Sequence, residues 1–101
     1  MHLKITKRAE WDIDHRAAFW EARSRGLGRD YILHLQDELK CLSELTKSAS
    51  HSRSFNGFRR FLTRRFSAQI FYEIEDDVLL IHGVFDCRED PDEIGGELGG
   101  R

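Results

Sequence analysis

Cysteine, proline and long apolar runs are nearly missing from this 101-residue chain. Two cysteines, Cys41 and Cys87, are too few for a disulfide framework, and no CxxC pair occurs. A reducing cytoplasm with both thiols unpaired is the compartment this implies. The single proline, Pro91, excludes a proline-rich linker. No apolar stretch approaches the roughly 20 residues that a membrane-spanning helix needs, so no membrane association is expected. The opening Met1 to Arg8 lacks the apolar core of a secretory leader. The five histidines show no metal-ligand spacing, and the Gly95-Gly96 and Gly99-Gly100 pairs do not follow a phosphate-loop pattern. No metal or cofactor is therefore expected.

Acids are missing from the middle of the chain. Residues 45–72 carry Lys47, Arg53, Arg59, Arg60, Arg64 and Arg65 and no carboxylate, whereas residues 73–101 carry ten acids against Arg88 and Arg101. The formal net charge of −2 conceals this polarity. The basic block is either the footprint of an anionic partner or a solvated sheet face.

What is present reads as one domain, since a chain this short supports one core. The domain is expected over residues 1–91, with 92–101 an acidic, glycine-rich tail frayed at its end. Leu3 to Thr6 alternates as a short edge strand. Thr6 can cap a helix whose Ala9, Ile13, Ala17 and Trp20 form an apolar stripe, and Gly26 ends it. Ile32, Leu35, Leu39, Leu42 and Leu45 mark a second helix, folded back on the first. The helices are expected over 7–24 and 29–45.

Lys47 to Ser54 is small, polar and aperiodic, hence a mobile loop containing His51, and Asn56-Gly57 marks a turn. Beyond it the period falls to two. Strands are expected over 58–62, 66–75 and 78–86, with a tight turn at Asp76-Asp77 and the last strand central. The fold class is α+β: an N-terminal edge strand and an antiparallel helix hairpin packed on an antiparallel three-stranded meander.

Two segments in this order resemble the RelE/ParE superfamily, the toxins of type II toxin–antitoxin systems. AEWDIDHRAAFWEARSRGLG, residues 9–28, is similar to that family's first helix and Gly-Leu-Gly turn. FRRFLTRRFSAQIFYEIEDDVLLIHGVFDCREDP, residues 58–91, resembles its arginine-rich meander and closing Arg-x-Asp-Pro. The chain departs from the family pattern at Ser67-Ala68, where relatives carry Pro-Tyr, and at Glu89, where many carry a second arginine.

The resemblance implies a cytoplasmic, growth-inhibiting toxin, of the kind tied to plasmid stabilisation, with a cognate antitoxin as partner. Arg59, Arg60, Arg64, Arg65 and Arg88 are the candidate residues for partner or target binding. The ParE branch implies DNA gyrase as target. The RelE branch implies cleavage of messenger RNA on the ribosome, with Arg60, Arg65 and Arg88 as its cationic residues. No direct sequence-specific DNA binding by the chain alone is expected. An inactive antitoxin-binding module with the same fold is a third reading.

RNA cleavage without metal needs a base and an acid beside the cations. No tyrosine or histidine follows His82. His82 is either a packed core histidine or a titrating group, and Tyr72 is either core or functional. Asp86 and Asp90 flank Arg88 as ion-pair partners or as functional acids. Nothing near Cys87 in sequence activates its thiol. These gaps favour the ParE-like reading.

Overall fold

The computed structural model describes residues 1–45 and 57–101. The expected loop from Lys47 to Ser54, and Asn56 of the expected turn, lie outside the described residues.

Seven elements follow one another: β1 (His2–Ile5), α1 (Lys7–Arg23), α2 (Leu27–Leu45), β2 (Arg59–Leu62), β3 (Ala68–Glu75), β4 (Val78–Asp86) and α3 (Pro91–Leu98). The Thr6 hydroxyl accepts the Ala9 N–H at 3.1 Å and starts α1 as its cap. The hairpin turn is closed by Glu21, whose carboxylate accepts the N–H groups of Gly26 and Gly28. Gly26 sits at φ +87°, and a Cβ on Gly28 would stand 2.6 Å from the Ala17 carbonyl oxygen. Both glycines of the Gly-Leu-Gly turn are therefore required, one for backbone conformation and one for close helix approach. α2 starts two residues earlier than expected, within ordinary end fraying.

The sheet order is β1-β4-β3-β2. β1 joins it at the edge, parallel to β4 with Leu3 opposite Leu79 and Ile5 opposite Ile81. β2, β3 and β4 pair antiparallel, so the sheet is mixed and mostly antiparallel. β4 is central, which explains its nearly continuous apolar sequence. A bulge separates the pairs Phe71–Gly83 and Tyr72–Ile81, leaving His82 as the extra residue.

β3 begins at Ala68 rather than at 66. Phe66 and Ser67 have φ of 63° and 48°, so the chain turns there although the apolar alternation runs through them. Phe58 also falls outside β2.

The larger correction concerns 92–101. That segment is not a frayed tail. Asp90 caps α3 by accepting the Asp92 N–H, Pro91 opens the helix, and Ile94 and Leu98 are buried. One sheet face carries Ala68, Ile70, Tyr72, Leu79, Ile81 and Val84 against the helix hairpin. The other carries Phe71 and Phe85, packed with Phe58, Ile94 and Leu98. With both faces covered, β3 is buried without alternation from Ala68 to Tyr72. Among the described residues no helix is long and apolar enough to cross a membrane.

Candidate partner-binding surface

The five arginines singled out by sequence occupy three places. Arg59 and Arg60 lie on β2, at the edge of the sheet, where no described strand pairs with its outer side. Arg64 and Arg65 lie in the turn between β2 and β3. Arg88 follows β4.

Two of the five are neutralised within the chain. The Arg64 side chain and backbone both donate to Glu38 Oε1, at 3.1 and 3.2 Å. Burial alone would raise the Glu38 carboxyl; the Arg64 hydrogen bonds and charge outweigh it and hold that carboxyl below its usual range. Arg88 forks onto both oxygens of Asp86, at 2.9 and 2.7 Å, and donates its backbone N–H as well. Here too burial pushes Asp86 up, and Arg88 more than compensates.

The other three have no carboxylate within ion-pair distance among the described residues, and residues 46–56 contain no acid. Arg60 donates to Gln69 Oε1 at 3.2 Å. Arg65 lies 5.0 Å from the Phe66 ring centroid. Arg59 pairs in register with Tyr72.

The turn bearing Arg64 and Arg65 is pinned to α2 by His34 and Glu38, one helical turn apart. His34 Nε2 accepts the Arg65 N–H at 3.2 Å and stands 3.3 Å from Glu38 Oε1. One nitrogen cannot accept from Arg65 and donate to Glu38 at once, so the two contacts are alternatives set by the tautomer.

Arg60, Arg65 and Arg88 are not gathered into one cleft. Arg60 lines a small cavity of about 150 Å³ with Gln69, Cys87 and Pro91. Arg88 lines a different cleft of about 370 Å³ with His15, Phe19 and Arg23. Arg65 borders neither. His82 is buried, with Nε2 at 2.9 Å from Glu73 Oε2 and its ring over Phe58. Tyr72 is fully buried, and burial raises its phenol above the ordinary range. Burial and Asp86 push the Cys87 thiol up, away from a reactive thiolate. Asp86 takes the ion-pair role with Arg88, and Asp90 the helix cap. Among the described residues no group of three His, Cys, Asp or Glu side chains is placed to hold a metal.

Sequence reasoning missed Glu38 and His34, which decide how Arg64 and the turn are held. It also missed Asp12 and Arg16, polar residues buried on α1. Only their helical phase, beside Ala9 and Ala17, signals burial. The exposed rings of Trp11 and Phe19 were missed as well.

No family profile and no curated protein sequence matches the chain. Among solved structures it is similar to a chain of the chromosomal ParDE TA system from P. aeruginosa. The TM-score is 0.63 at 17% identity, over 85% of this chain and 95% of that one. The two share a fold, and the RelE/ParE-like architecture expected from the sequence is the architecture observed.

Proposed function

We propose that this chain is the toxin half of a type II toxin–antitoxin pair. It is ParE-like, inhibits growth by binding a cellular target in the cytoplasm, and is neutralised by a cognate antitoxin. The carrying observation is the edge at β2. On a fold shared with a ParDE chain, Arg59, Arg60 and Arg65 stand without carboxylate partners around a strand whose outer edge no described strand occupies. An extended acidic segment of an antitoxin can add to that edge and supply the missing charges. DNA gyrase is the target that the ParE resemblance suggests.

The RelE-like reading, a ribosome-dependent messenger RNA endonuclease, is the second. The separation of Arg60 and Arg88 into different clefts speaks against it, as does the burial of His82 and Tyr72. A general base and acid each contribute about 10²–10⁴-fold, and the two carboxylates in the Arg88 cleft, Asp86 and Glu89, are engaged by Arg88 and Arg16.

The test is induction of the chain in cells, alone and with the adjacent reading frame. Growth arrest with DNA damage and intact messages, relieved by a small acidic partner that copurifies, is the expected result. Codon-phased cuts in translated messages, lost in Arg65→Ala or Arg88→Ala, would move the chain to the RelE side. Normal growth with a recovered complex would leave an antitoxin-binding module.

A further inference from the structure

α1 carries a second surface, independent of the β2 edge and of the toxin–antitoxin reading. Its core side holds Ala9, Ala17 and the partly buried Ile13 and Trp20. Its solvent side holds Arg8, Trp11, His15, Phe19 and Arg23, spaced three, four, four and four, which makes one slowly winding stripe on a helix. Trp11 is 56% exposed and Phe19 44%, more than large apolar side chains require for packing. The Trp11 and His15 rings lie parallel, 4.8 Å apart at 9°. The Arg23 guanidinium sits 4.6 Å from the Phe19 centroid, and Arg88 sits within 5.9 Å of the same ring.

The exposed acids of α1 lie beside or behind the stripe and not within it. At 100° per residue, Glu10 points away from the stripe and Asp14 borders it beside Trp11, and Glu21 is engaged by the hairpin turn. The stripe runs along the cleft of about 370 Å³ lined by His15, Phe19, Arg16, Arg23 and Arg88. Two carboxylates also line it, and both are spent: Asp86 on Arg88, and Glu89 on Arg16 at 2.6 and 3.1 Å. Arg8 and Arg23 have no carboxylate within 4 Å among the described residues. Arg16 is 8% exposed, and its buried Nη1 stands 3.6 Å from Asp12 Oδ1.

We propose that this face of α1 binds a single-stranded polynucleotide. Bases stack on the Trp11–His15 pair and on Phe19, and phosphodiesters lie against Arg8 and Arg23, the two arginines of the stripe without a carboxylate partner among the described residues. The residues bearing the rings follow one another every four positions, roughly 6 Å of helix rise at about 1.5 Å per residue. That is a step a stretched strand can follow. Flat rings interleaved with arginines are how proteins hold single strands without reading sequence. An acidic peptide could use the arginines but gains nothing specific from two parallel rings. With the net charge of the chain at −2, the field is local, so binding is weak and salt-sensitive.

The test is anisotropy of short fluorescent oligouridylate and oligodeoxythymidylate with the purified full chain. Saturable binding of either probe, quenching tryptophan fluorescence, is expected; which probe binds better distinguishes RNA from DNA as the source. Trp11→Ala and Phe19→Ala should each weaken binding about tenfold through lost stacking, and Trp11→Phe should retain most of it. Arg8→Ala with Arg23→Ala should flatten the salt slope by about 1.4. Asp14→Ala, bordering the stripe, should bind at least as well as the parent. All these side chains are exposed, so unfolding midpoints monitor that the variants fold. No binding by the folded chain, unchanged binding by Trp11→Ala and Phe19→Ala, or equally effective displacement by polyglutamate would each overturn the proposal.

Discussion

Asp12 and Arg101, 89 residues apart in sequence, form a buried ion pair that ties the C-terminal segment to the middle of α1. Asp12 Oδ1 accepts Arg101 Nη2 at 3.1 Å, and Oδ2 accepts both Arg101 Nη1 and the Val84 N–H. Arg101 Nη1 also donates to the His82 carbonyl at 2.9 Å. The Phe85 ring has a guanidinium 4.8 Å away in Arg16 and another 5.2 Å away in Arg101. Both charges of the pair are out of water; Arg16 Nη1 stands 3.6 Å from Asp12 and Glu97 3.6 Å from Arg101, longer contacts that replace the pair only in part.

Asp12→Ala and Arg101→Ala should therefore each destabilise the chain by up to about 3–5 kcal/mol, the usual cost of breaking a buried pair, with Arg16 and Glu97 softening the loss. Asp12→Ala additionally strands the Val84 N–H. In urea unfolding the double variant should lose less than the sum of the two singles, because the second removal takes away the charge that the first left unpaired. Additive losses would mean that the two side chains are energetically independent.

Burial of Ile94 and Leu98 against Phe71 and Phe85 makes α3 part of the fold. Ile94→Ala or Leu98→Ala should cost about 2–5 kcal/mol, as large-to-small changes at buried sites do. Amide exchange should show α3 protected together with β4. Unprotected α3 amides and neutral substitutions would mark the segment as detached.

Stability should fall on acidification, through Glu38 and Asp86. Both carboxyls are held below their usual range in the folded chain, burial being outweighed by Arg64 and Arg88 respectively. A depressed carboxylate contributes fully above its unfolded value, about 4, and the contribution is lost as pH falls through the folded value. The urea midpoint should thus be flat near neutrality and decline below about pH 4. Glu38→Gln and Asp86→Asn should each make the acid limb shallower. An acid limb of unchanged slope in both variants would exclude these two groups as its source.

Local chemistry was legible in the sequence, and long-range chemistry was not. Thr6 capped where expected, the stripe through Ala9 and Ala17 packed where expected, and the change of period after Gly57 separated helices from strands. Phe66 and Ser67 kept the strand alternation while adopting positive φ, so parity alone misplaced the start of β3. Phe71 lay at a parity that a half-covered sheet would expose; α3 covers that face, through contacts that no local pattern announces. Composition located the basic surface. Which of its arginines are neutralised depends on Glu38, 26 residues before Arg64. The pairing of Arg88 with Asp86, two residues away, was already open in the sequence.

That division gives the sharpest test of the partner surface. Arg59, Arg60 and Arg65 have no carboxylate to lose, so removing them should leave stability within about 0.5 kcal/mol. An acidic partner approaching the β2 edge should still notice. Association by the triple alanine variant should slow on the order of tenfold at low salt and converge with the parent at high salt, as screening removes the difference. Arg64→Ala should behave in the opposite way. Its guanidinium is 78% exposed, but Glu38 beneath it is 2% exposed and relies on Arg64 for two hydrogen bonds. Removing the side chain leaves a buried carboxylate with the backbone N–H from residue 64 and the His34 ring 3.3 Å away. The unfolding midpoint should drop, while the rate of partner association changes less than in the triple variant. Stopped-flow association with the copurified partner, run beside urea unfolding, separates the two effects. A triple variant that associates at the parental rate across salt concentrations would remove the β2 edge as the docking site. An Arg64→Ala variant of parental stability would show that Glu38 does not depend on it.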